Sequence, residues 1–122
     1  MKFSIALFLL TNTLLLTACS PHPASGVWKT TADNDYGINK IVVGFDGKAN
    51  FATPKLDNAT WHCFWSAASE QETVLNCTPS TNPDQEERFI LSIKNKATAE
   101  LRHNSQVITV LTLQDENPSP VN

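Results

Sequence analysis

The chain has 122 residues, with 12 acidic against 9 basic side chains and a formal net charge of −3 at pH 7. That balance excludes the basic footprint that nucleic acid requires and works against adhesion to anionic lipid. The length fits a single domain with a modest core.

In chain order, the first segment is a targeting signal. Met1-Lys2 supplies a short positive start, and Phe3 to Leu16 is dominated by Phe, Ile, Ala and Leu. That run is too short to span a bilayer, which takes about 20 apolar residues, and it has the layout of a secretory signal peptide over residues 1–18. Leu16-Thr17-Ala18-Cys19 resembles the bacterial lipobox: a leucine, two small residues and a cysteine. The resemblance implies a lipoprotein. The Cys19 thiol would carry a diacylglyceryl group, the peptide would be cut before it, and the new amine would be acylated, for example with palmitate. Ser20 follows where an Asp would resemble an inner-membrane retention signal, which points to the outer membrane and its periplasmic face. Removal of residues 1–18 takes away Lys2 and moves the net charge from −3 to −4.

With Cys19 assigned to lipid, Cys63 and Cys77 remain as a pair in an oxidising compartment, where a disulfide is expected. Residues 20–25, Ser-Pro-His-Pro-Ala-Ser, read as a tether reaching at most about 20 Å, with His22 solvated within it. Residues 114–122 are polar, contain Pro118 and Pro120, and read as a disordered tail. Between them, residues 26–113 show no helical period. Runs rich in β-formers alternate with turn residues, with strands expected at 26–32, 37–45, 49–53, 59–68, 72–78, 88–94, 97–103 and 106–113. The expected fold is all-β: a small antiparallel meander forming a barrel or sandwich of about eight short strands with one disulfide.

Three hairpin registers follow from residue chemistry. A three-residue loop, Phe45-Asp46-Gly47, with Gly47 left-handed, pairs Val43 with Ala49 and Ile41 with Phe51. Symmetry about Glu70 pairs Trp65 with Leu75 and Cys63 with Cys77, placing Trp61, Cys63 and Trp65 on one face. Directly opposed strand residues lie within reach of a disulfide, whereas a slipped register would need a bridge between non-opposed positions. A loop at Lys94-Asn95-Lys96 pairs Phe89 with Leu101, Leu91 with Ala99 and Ile93 with Ala97. Pairing of the last strand through Asn104-Ser105 turns Ile108 and Val110 to the core and leaves Val107, Leu111 and Leu113 outside, as on a strand covered on both sides or forming a contact surface.

Gly26-Val27-Trp28 resembles the Gly-x-Trp signature that opens lipocalin-like barrels. The resemblance covers three residues and implies that Trp28 closes a barrel floor, with any ligand entering at the opposite mouth. Small periplasmic lysozyme-inhibitor lipoproteins are similar in size, barrel architecture and single disulfide, but their inhibitory loop is not recognisable here.

Trp61-His62-Cys63-Phe64-Trp65 is the densest cluster. One face supplies core; His62 and Phe64 face the other way and form the candidate contact surface. His62 and Cys63 point to opposite faces and a disulfide removes both thiols, so no metal site is expected. There is no Gly-x-Ser-x-Gly and no free thiol nucleophile, so neither an enzyme nor a cofactor is expected. His103, at a turn, and the charged stretches Asp33-Asn34-Asp35 and Glu86-Glu87-Arg88 read as solvated. The expected function is that of a lipid-anchored periplasmic binding module, non-enzymatic, contacting an envelope protein or a small apolar ligand. The alternative is an accessory lipoprotein that braces or assembles an envelope complex.

Overall fold

The computed structural model describes residues 22–118. The expected signal peptide, the expected acylation site Cys19, and residues 20, 21 and 119–122 lie outside that span. The described chain forms eight strands: β1 (Gly26–Thr30), β2 (Lys40–Val43), β3 (Lys48–Thr53), β4 (Ala59–Ala67), β5 (Glu72–Pro79), β6 (Glu87–Asn95), β7 (Thr98–His103) and β8 (Gln106–Asp115). Each pairs antiparallel with the next, and β8 returns to pair with β1, which closes a barrel and settles the choice against a sandwich. Among the described residues, closure leaves no open sheet edge to template association with another strand.

Period-two alternation fills the closed sheet. Ile41 and Val43, Ala49 and Phe51, Trp61 and Cys63, Leu75 and Cys77, Phe89 and Leu91, Ala99 and Leu101 all turn inward and are buried. Side chains therefore fill the interior. Phe51 and Trp61 stack with ring centroids 6.1 Å apart, and Phe89 meets both edge-on at 5.2 and 5.7 Å, the offset and T-shaped geometries aromatic pairs favour. Each indole N–H finds an acceptor: Trp28 donates to the Ala24 carbonyl at 2.8 Å, Trp61 to the Thr53 hydroxyl at 2.8 Å, and Trp65 to the Gly44 carbonyl at 2.8 Å. Thr53 in turn donates to Asp57, which ties the β3–β4 loop to the core.

The first two expected hairpins are present. Val43 faces Ala49 and Ile41 faces Phe51. Gly44 donates to the Lys48 carbonyl at 2.7 Å to close the Phe45-Asp46-Gly47 loop, and Gly47 has φ +80°. Trp65 faces Leu75, and Cys63 faces Cys77 in a disulfide with Cα atoms 4.0 Å apart.

The third hairpin departs from expectation. Phe89 faces His103, Leu91 faces Leu101 and Ile93 faces Ala99, with the register shifting between Ile93 and Asn95. The cause is local: the Asn95 side chain accepts the Ala97 amide at 3.0 Å, which tightens the connection to Lys96-Ala97 and leaves Lys94 as the extra residue. The slip is two residues, so the inward faces are unchanged, but it brings His103 opposite Phe89. In β8 the Asn104-Ser105 turn is present, but a bulge follows: Arg102 faces Val107 and Leu101 faces Thr109, with Ile108 inserted between. The bulge inverts the expected alternation. Thr109 and Leu111 are buried, Ile108 and Leu113 pack partly against the core, and Val107 and Val110 point outward.

At one end of the barrel lie the start of β1, the loop 44–47, the loop 68–71, the turn at Lys96-Ala97 and the end of β8. The opposite end carries residues 31–39, 54–58, 80–86 and the Asn104-Ser105 turn. The N-terminal segment folds against the first of these ends. Ala24 and Ser25 are buried, and His22 is half-buried rather than solvated. Its Nδ1 accepts the Ala24 amide at 3.1 Å, its Nε2 lies 3.4 Å from the Ser69 carbonyl, and its ring lies 5.5 Å from that of Trp65. The tail also runs further in order than its composition suggests: β8 continues to Asp115 and Pro118 is buried.

Candidate contact surface

His62 and Phe64 lie on the outer wall of β4, two residues apart, because the inward positions on either side are taken by Trp61, Cys63 and Trp65. The disulfide pins β4 to β5 at Cys63, between the two outward side chains. Phe64 is 70% exposed, the most exposed of the large apolar side chains among the described residues. Its cross-strand neighbours are Lys48 on β3 and Asn76 on β5; those of His62 are Asn50 and Thr78. An aromatic ring among amides, a hydroxyl and an ammonium gains little burial from the fold itself.

Lys48 and Asn50 also line a groove of about 540 Å³ that runs along β2 and β3, with Lys40, Val42, the 44–46 stretch and the buried Pro118 completing its walls. The groove therefore borders the His62–Phe64 pair on one continuous outer wall. Its charged side chains are Lys40 and Lys48 together with Asp46. The sequence reading missed the groove; its only sequence trace is that positions 40, 42, 48 and 50 are the outward partners of the core positions 41, 43, 49 and 51.

A second arrangement lies at the opposite end. His103 Nε2 is 3.0 Å from Glu87 Oε2, and its ring stacks on Phe89 with centroids 4.7 Å apart. Neither residue is simply solvated, contrary to expectation: His103 shares the inward face of β7 with Ala99 and Leu101, and the two-residue slip of the third hairpin sets it opposite Phe89. Residues 35, 36, 104 and 106–108 join His103 around a hollow of about 360 Å³. His62 is on the outer wall of β4 and takes no part in it. Asp33-Asn34-Asp35 is likewise not a simple solvated turn, since the Asn34 side chain both accepts from and donates to the backbone of Ile38, at 3.0 and 2.9 Å.

On β7, Glu100 receives two contacts from Arg102, the closer at 3.0 Å, and lies 3.6 Å from Lys94. The Arg102 hydrogen bond holds its carboxyl below the usual glutamate range. Among the described residues no group of three or more His, Cys, Asp or Glu side chains is arranged to hold a metal ion. No helix among them is long and apolar enough to cross a membrane. Compared with known proteins, the chain matches no family model, no curated protein and no solved structure.

Proposed function

We propose that this protein is a lipid-anchored periplasmic contact module, held in the outer membrane by acyl chains on Cys19 and non-enzymatic, which binds an envelope protein through the outer wall of β2–β5. The observation that carries the contact is Phe64. A ring left 70% exposed on a regular strand, beside a groove lined by Lys40, Val42, Phe45 and Lys48, is the kind of aromatic anchor that partner surfaces bury. The anchor rests on the lipobox resemblance at Leu16-Thr17-Ala18-Cys19 and on the Cys63–Cys77 disulfide, which suits an oxidising compartment. The lipocalin-like reading gains support from Trp28, which is fully buried and hydrogen-bonded to Ala24 at the end where β1 begins. A small apolar ligand inside the barrel is the weaker form of the proposal, since Trp28, Phe51, Trp61 and Phe89 occupy the interior.

The accessory reading draws on β8, where Val107 and Val110 are 49% and 37% exposed on the outer wall. Both readings share the anchor, and fractionation of a Cys19→Ala variant tests it. The proposal expects release from the membrane fraction into the soluble periplasm; continued membrane association would defeat it.

A further inference from the structure

We infer that the barrel end bearing the 44–47 loop rests on the bilayer surface, with Phe45 seated among the lipid headgroups as a second point of attachment. The inference rests on the proposed acylation of Cys19. His22 is fixed to this end of the barrel through Trp65, Ser69 and Ala24. Trp65 in turn holds the loop that carries Phe45: its amide donates to the Gly47 carbonyl at 2.8 Å and its indole to that of Gly44 at 2.8 Å. Only Ser20 and Pro21 separate His22 from Cys19. Three Cα steps reach at most about 11 Å, half the span of a free six-residue tether. An acyl-bearing Cys19 sits at headgroup depth, so this end of the barrel cannot leave the interface while His22 stays in place.

The side chain presented there suits that position. Phe45 is 58% exposed in its loop with Lys48 nearby, and an apolar ring entering the headgroup–acyl boundary beside a lysine that keeps its charge in water is how peripheral segments sit at an interface. The same end also carries Asp46, Glu70, Glu72, Asp115 and Glu116 against Lys48, Lys94 and Lys96. This excess of acidic groups would not draw the barrel to an anionic surface. The surface is therefore a zwitterionic one, approached because the acyl chains bring the barrel to it. The opposite end, with Leu56 and the His103–Glu87 pair, then faces away from the membrane.

The test uses the mature acylated protein in phosphatidylcholine vesicles whose acyl chains are brominated near the headgroup, a quencher of tryptophan. Phe45→Trp and Leu56→Trp place a new indole at opposite ends, at positions of similar exposure, 58% and 55%. The inference expects the fluorescence added at position 45 to be quenched and that added at 56 to be retained. Equal quenching, quenching at 56 alone, or none at either would overturn it. Hydrogen exchange on the unsubstituted acylated protein gives an independent reading: vesicles should slow exchange at residues 44–47 and leave 54–58 unchanged, and the reverse would overturn the inference. The intact mass separates the two layers of the argument. Absence of acyl groups refutes the anchor and the inference with it, whereas an acylated protein whose Phe45 end stays unprotected refutes the inference alone.

Discussion

The His22 ring lies 5.5 Å from the Trp65 ring, tilted by 46°, and this contact turns a proline-rich connector into part of the barrel end. Trp65 meets His22 on one side and the Gly44–Gly47 loop on the other, so the N-terminal segment and the β2–β3 loop share one support. His22→Ala is expected to lower stability by no more than about 1 kcal/mol, the scale of one ring contact or one hydrogen bond. It should sharply speed exchange at the Ala24 amide, which donates to His22 Nδ1. Exchange at Ala24 as slow as in the wild type would show that His22 does not hold the segment.

Cys63 and Cys77 close a loop with a sequence separation of 14. Constraint of the unfolded chain by a loop of this size is worth roughly 3 kcal/mol, a large share of the stability of so small a domain. The Cys63→Ala, Cys77→Ala double variant should therefore lose about 3 kcal/mol in urea unfolding. Non-reducing peptide mapping should link Cys63 to Cys77, and free thiols at both positions would contradict the register of β4 and β5.

Thr73 is fully buried on the inner face of β5, and its hydroxyl is the one buried side-chain polar atom among the described residues that lacks a hydrogen-bond partner. A valine there keeps the shape and removes the unpaired group. Thr73→Val is predicted to raise stability by about 1 kcal/mol. A loss of similar size in thermal unfolding would show that the hydroxyl is satisfied.

Glu100 gives a pH dependence whose sign is fixed. Its carboxyl titrates below the usual range in the folded protein because Arg102 hydrogen-bonds the carboxylate. The resulting stabilisation is complete above the unfolded-state value and is lost as pH falls through the lower folded-state value. Arg102→Gln should return Glu100 toward the ordinary glutamate range in a carboxyl-detected NMR titration and flatten this acid limb. An unchanged Glu100 titration would mean the contact with Arg102 does not hold in solution.

The inward pattern of the barrel is legible because its period is two and its core residues are unambiguous. Ile41, Val43, Phe51, Trp61 and Leu75 announce one face, and the cysteine pair fixes a register between two strands. What escaped was carried by single residues acting locally. Asn95 captures the Ala97 amide and shifts a hairpin by two positions, while one inserted residue, Ile108, reverses the apparent faces of β8. Bulges of this kind leave composition and periodicity almost unchanged. The stacking of His103 on Phe89 was hidden for the same reason, since the expected register sets His103 opposite Glu87 and only the slipped one sets it opposite Phe89. His62 and Phe64 were legible as outward residues from strand alternation alone. The groove beside them needed the closed wall, because its lining comes from β2, β3 and the returning tail at Pro118.

The central claim is that the outer wall around Phe64 is where this anchored barrel meets a protein of the envelope. A photo-crosslinking residue placed at position 64, in cells expressing the full chain, tests it most directly, with position 56 at the far end of the barrel as the comparison. The account predicts one dominant protein adduct from position 64 and none from 56. It also predicts that Lys40→Ser, in the adjoining groove, weakens that adduct without lowering the melting temperature. An adduct from 56 with none from 64, or no protein adduct from either, would contradict it.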